Sequence, residues 1–196
     1  MELTSEQILP VDQATAWAAL NDIDLLKQSI PGCESLESTG PDTFELVILA
    51  AVGPVKARFK GRMQIEDARP PEAYTIRFDG QGGAAGFGKG SANVELVPEG
   101  PLTLLRYTAT AQVGGKIAQI GSRLVDMAAR KMAGQFFDKF GEVLAERHPE
   151  QAAAAAEALE QRAAAQAEAE AGEKAEAGSA LSKVRDWFKR SDSDKA

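Results

Sequence analysis

Hydrophobic positions change rhythm along this chain, and each change marks a new element. Glu2–Leu9 alternates loosely and predicts a strand. Pro10 opens a new segment, and Asp12 is placed to cap a helix carrying Ala14, Trp17, Ala18 and Leu20. A second short helix is predicted over Ile23–Ser29, stopped by Pro31 and Gly32. From Glu34 to Val113 strand follows strand: Phe44–Val52, Val55–Glu66, Ala73–Asp79, Ser91–Val97 and Leu102–Val113. The second of these alternates most cleanly. Val55, Ala57, Phe59, Gly61, Met63 and Ile65 fall on one face, and Lys56, Arg58, Lys60, Arg62, Gln64 and Glu66 on the other. Pro70 with Pro71, and the run Pro98–Pro101, mark turns.

After Gly114 and Gly115 the period becomes helical. From Lys116 to about Arg147 there is no proline, and Ile117, Ile120, Leu124, Met127, Met132, Phe136, Phe137, Phe140 and Leu144 recur on one wide face, predicting a single long helix. An antiparallel sheet curved around that helix buries both faces, so the pattern predicts an α+β helix-grip fold.

The remaining chain divides again. Residues 149–178 are rich in Ala and Glu, with Leu159 the one large apolar side chain, and predict a solvated, partly helical linker. Residues 179–190 form a short amphipathic pattern. Leu181, Val184, Trp187 and Phe188 lie on one face, and Lys183, Arg185, Lys189 and Arg190 on the flanks and the other face. A basic helix tipped with aromatics is a device for touching a membrane surface. The predicted organisation is a ligand-binding domain at 1–148, a linker at 149–178, the basic helix at 179–190 and a polar terminus at 191–196.

The net charge of -7 argues against a nucleic-acid binder. The charge is unevenly spread, since the linker is acidic and the terminal helix basic. There is one cysteine, Cys33, and one histidine, His148. No internal disulfide is expected, and no Ser/His/Asp set or metal cluster assembles around one histidine. Cys33 reads as a packing residue and His148 as the end of the long helix. No secretory signal is evident, and no run of about 18 apolar residues spans a bilayer. The expectation is a cytoplasmic protein, peripheral on the inner face of the cell membrane.

The run Gly80–Gly90 superficially fits a phosphate-binding loop, but Gly90 stands where a hydroxyl is needed, and a strand follows where a helix should. It is either a plain hairpin connection or a flexible lid with Phe87 as its apolar tip. Glu45, Glu66, Arg77, Asp79, Glu95 and Arg106 fall on polar positions and predict the outer face of the sheet. Tyr107 differs: with Ala109, Ala111 and Val113 it shares an inward parity that leaves room opposite the long helix, suited to an apolar ligand. Phe136, Phe137 and Phe140 are expected to close one end of the core, and Trp17 to anchor its helix to the sheet. The cavity residues selected are Phe59, Ile76, Phe78, Phe87, Tyr107, Ile117, Ile120 and Leu124.

Several stretches carry a family resemblance: Gly90–Leu96, Leu105–Tyr107, Ala111–Arg123 and Gln135–Phe140, together with the Trp17 segment, Ile30–Cys33 and Val52–Gly61. Over about residues 1–147 the chain resembles the CoxG family of carbon monoxide dehydrogenase subunits. That resemblance implies a START-like (SRPBCC) helix-grip fold with a deep apolar cavity. It implies partnership with an aerobic molybdenum hydroxylase of the carbon monoxide dehydrogenase type at the cytoplasmic membrane. The implied cargo is a lipophilic small molecule, a quinone such as menaquinone or ubiquinone. No covalently bound cofactor and no catalytic residue are expected. Two other readings stay open: a membrane-recruitment or assembly factor that delivers no ligand, and a START-like cyclase or hydratase.

Overall fold

The computed structural model describes residues 1–167. The terminal helix predicted at 179–190, with Leu181, Trp187, Phe188 and its basic residues, lies outside the described residues, as does the linker beyond 167. The elements run β1 (Glu2–Leu9), α1 (Gln13–Leu20), α2 (Ile23–Ser29), β2 (Cys33–Gly40), β3 (Thr43–Val52), β4 (Val55–Arg69), β5 (Ala73–Gln81), β6 (Phe87–Glu99), β7 (Leu102–Gly114), α3 (Lys116–Gln119) and α4 (Ser122–Arg147). The seven strands form one antiparallel sheet in the order β1-β7-β6-β5-β4-β3-β2. This is the helix-grip arrangement that the alternation predicted.

Local chemistry explains the helix starts. Asp12 accepts the Thr15 amide at 2.8 Å, and Asp22 accepts the Leu25 amide at 3.0 Å, each satisfying an orphan donor of a first turn. Gln13 donates from Nε2 to the Leu96 carbonyl, tying α1 to β6. Trp17 meets Tyr74 edge to face at 5.5 Å, which fixes its helix to the sheet as expected.

Three boundaries differ from the sequence reading. The long helix is two helices, because Gly121 adopts φ +98, a left-handed conformation that interrupts the ladder between α3 and α4. The glycine run is mostly strand: Gly80, Gly88 and Gly90 pair within the sheet, and only Gly82–Gly86 turns the chain. Third, the compact domain extends past 148 to Ala155. Residues 149–167 are helical, beginning with Pro149, whose fixed φ suits a first helical position. Gln151 accepts the Asp12 amide at 3.0 Å and donates to Thr15 Oγ1 at 3.1 Å, so the first turns are held rather than solvated.

The inward side chains form two separate clusters. The larger joins Leu9, Val11, Leu25, Leu96 and Leu105 with Phe140, Val143 and Leu144 of α4. The smaller joins Ala85, Ile117 and Val125, with Val52, Phe59 and Ile120 against them. The inner sheet surface is smooth in the middle. One cross-strand row reads Leu46, Gly61, Gly80, Gly88, Val113, and the next reads Phe44, Met63, Phe78, Gly90, Ala111. The glycines let neighbouring side chains lie close over the strands: a Cβ on Gly90 would lie 2.9 Å from Phe78 Cζ, and one on Gly61 3.1 Å from Leu46 Cδ2.

Candidate functional site

A cavity of about 190 Å³ lies between the inner face of the sheet and α4. The sheet supplies Phe44, Met63, Ile65, Tyr74, Ile76, Ala92, Val94, Leu105 and Tyr107. Helices supply Leu20, Leu26 and Phe136 with Phe137, and Ile30 follows α2. No charged residue lines it. The volume is below the roughly 300–1,000 Å³ typical of sites that enclose whole drug-sized ligands.

The polar features are two phenols. Burial pushes the Tyr74 hydroxyl well above the ordinary tyrosine range, so it stays protonated and remains a donor. The Tyr107 ring stacks on Phe137 at 5.4 Å, and Phe137 meets Phe136 edge to face at 4.9 Å. Neither phenol hydrogen-bonds to a described residue. Apolar walls carrying two phenols suit a ligand with an apolar body, to whose oxygens a phenol turned inward could donate.

The eight sequence-selected cavity residues separate. Ile76 and Tyr107 line the cavity. Phe59, Ile117 and Ile120 face inward but belong to the second cluster, farther along the grip. Phe78 shares its row with Met63 and Gly90 and lies outside the cavity wall. Phe87 opens strand β6, and its ring covers Gly114, where an added Cβ would lie 2.2 Å away. The turn before it is held by a 2.7 Å bond from the Gly82 amide to the Gly86 carbonyl, and Ala85 is buried. The turn is anchored at Gly82 and Ala85, while the Phe87 side chain itself is 37% exposed. Leu124 is 43% exposed, because its helical phase points away from the sheet.

Sequence reasoning missed Tyr74, Leu26, Ile30, Phe44 and Met63, and assigned Phe136 and Phe137 to closing the core. Tyr74 was findable: it sits two residues before Ile76 on the same strand and so shares its face. Leu26 and Ile30 carry no such signal, since α2 reaches the cavity only through tertiary packing.

The remaining candidates lie outside the cavity wall. Burial raises the Cys33 thiol, which disfavours the nucleophilic thiolate, and its Sγ lies 3.5 Å from the Ser35 carbonyl. His148 ends α4 through its amide to the Leu144 carbonyl at 2.8 Å. The outer face of the sheet is polar as expected, with Arg77 paired to Glu66 and Arg106 to Glu6 at 2.7 Å. Among the described residues no group of His, Cys, Asp and Glu could hold a metal, and no helix is long and apolar enough to cross a membrane.

A curved antiparallel sheet closed by a long helix over an apolar cavity defines a helix-grip protein of the START-like (SRPBCC) type. Solved structures share the fold. A conserved protein from Geobacillus kaustophilus is 30% identical with a TM-score of 0.71, over 74% of this chain and 96% of that one. A Thermus thermophilus protein is 19% identical with a TM-score of 0.58, over 75% and 99%. The ZhuI aromatase/cyclase from Streptomyces sp. R1128 is 12% identical with a TM-score of 0.56, over 76% and 94%. The last two show the fold alone. No curated protein matches. The chain belongs to the CoxG family of carbon monoxide dehydrogenase subunits, whose model matches residues 6–145. Membership marks an accessory protein associated with that enzyme.

Proposed function

We propose that this chain is a non-catalytic carrier that holds the head group of a respiratory quinone, such as menaquinone or ubiquinone, and serves a molybdenum hydroxylase of the carbon monoxide dehydrogenase type. The observation that carries the reading is the cavity: uncharged, walled by aliphatic and aromatic side chains, with Tyr74 and Tyr107 as hydroxyl donors. A quinone ring offers apolar faces and two carbonyl acceptors, which match that wall and those donors. An acid/base enzyme would need a titratable group facing its substrate; no Asp, Glu, His, Lys or Arg lines this wall, and burial holds the Tyr74 phenol in its protonated form. At about 190 Å³ the site suits a ring, so the isoprenoid tail would leave through an opening rather than coil inside.

The carrier works at the inner face of the cytoplasmic membrane, touching it through the basic helix of residues 179–190. A quinone resides in the bilayer, where a soluble oxidoreductase cannot reach it, and a tethered carrier bridges the two. The small cavity volume favours a second reading, in which the chain only recruits the enzyme to the membrane and delivers no ligand.

Native mass spectrometry of detergent-free protein, with organic extraction of what co-purifies, separates the two. A stoichiometric isoprenoid quinone is the expected result. A cavity that stays empty after incubation with quinone would sink the carrier reading in favour of recruitment. Deleting Ser179–Ala196 tests the tail: membrane association is expected to fall, and unchanged association would refute the anchor.

A further inference from the structure

The outward face of α4 has a composition that its fold does not explain. A solvent-facing helix surface is normally polar. Here Leu124 is 43% exposed and Met127 60%, one turn apart on the same outer stripe. Arg123, Arg130 and Lys131 flank them, and all three are exposed. With Lys116 of α3, four cations face one carboxylate, Asp126, between Gly114 and Gln135, in a chain whose net charge is -7. None of the four forms an ion pair with a described residue. The rear of α4 is different: Lys139 pairs with Glu142, and Arg147 with Asp22. The β3–β4 turn borders the face, since a Cβ on Gly53 would lie 3.8 Å from Leu124 Cδ1 and from Ile120 Cδ1.

We propose that this face is an anionic-lipid docking surface on the domain itself, separate from the terminal helix. Long cationic side chains reach headgroup phosphates, while the apolar tips between them enter the headgroup boundary. Charge complementarity selects an anionic bilayer: the cations are unpaired and clustered, and they surround the apolar pair. Docking this way would turn the helix that covers the cavity toward the membrane. The inference rests on the reading that the chain works at a membrane, but not on the tail being its anchor.

The test uses the full chain with Arg123→Glu, Arg130→Glu and Lys131→Glu combined, against vesicles of phosphatidylcholine with and without phosphatidylglycerol. Each cation near an anionic surface is worth about five-fold in affinity, so the triple reversal is expected to lower binding to anionic vesicles by more than about a hundred-fold. Leu124→Gln with Met127→Gln is the independent second variant, and it should weaken binding to the same vesicles. Both change surface side chains, so unchanged thermal midpoints are expected. A parallel Trp187→Ser, Phe188→Ser chain keeps the two readings apart. If that chain binds normally while the α4 variants do not, the tail reading fails and this one stands. If both α4 variants bind anionic vesicles like the unaltered chain, the proposal is wrong, including the case where they lose a protein partner instead.

Discussion

Ala92→Leu should make the protein more stable and a poorer carrier at once. Ala92 lies on the inner face of β6, in register with Ile76, and lines the cavity. The three added carbons recover about 0.8 kcal/mol each, or about 2 kcal/mol together. For a chain of this size that raises the thermal midpoint by about 4–8 °C. The same carbons then compete with the ligand. Accommodating both costs about 1–3 kcal/mol of overpacking, which weakens binding by about five-fold to about 150-fold. Thermal unfolding of the ligand-free chain followed by circular dichroism measures the first effect. Calorimetric titration with a short-chain benzoquinone measures the second. A lowered midpoint would mean that the space is not free. A raised midpoint with unchanged quinone affinity would mean that the ligand binds elsewhere.

Tyr74→Phe and Tyr107→Phe each remove one unpaired hydroxyl, and should weaken quinone affinity about three- to twelve-fold while leaving the fold intact; equal affinities in the same titration would rule out the phenols as donors. The Asp22 carboxyl is held below its ordinary value by the Leu25 amide and, with a smaller contribution, by Arg147. Its folded value is depressed, so its stabilisation is full above the unfolded value of about 3.9 and is lost as pH falls through the folded value. Asp22→Asn should therefore lower the urea midpoint near neutral pH, with the gap to the unaltered chain closing in acid; a pH-independent gap would contradict the assignment. Gln151→Ala removes two hydrogen bonds and should speed hydrogen exchange at the Asp12 amide, at a cost of about 1–2 kcal/mol; unchanged exchange would show that this contact does not hold residues 149–155.

Lipid contact through α4 and an anchor at residues 179–190 would meet the same need. A single short amphipathic helix buries little surface and binds reversibly. A second weak contact on a short tether multiplies the first through effective concentration, so two modest surfaces can hold a carrier at the bilayer and still let it leave.

The sequence by itself determined the order of strands and helices, the Asp12 cap and the two faces of the sheet, and the Asp22 cap is of the same local kind. These are local properties: a period of two assigns Val55–Ile65 to one face, and Asp12 and Asp22 cap helices within three residues of themselves. Family membership was legible for the same reason, since its motifs are contiguous runs. Parity reports which way a side chain faces, but not how far along the grip it sits or what stands opposite. Phe59 and Ile76 both face inward, yet Phe59 joins Ile117 and Ala85 in one cluster while Ile76 lines the cavity. Leu26 and Ile30 arrive from the far end of the sequence, and Gln151 reaches back to Asp12 across 139 positions. Only the tertiary structure decided these, because a cavity and its wall are relations between distant segments, set by how the sheet curves and where α4 crosses it.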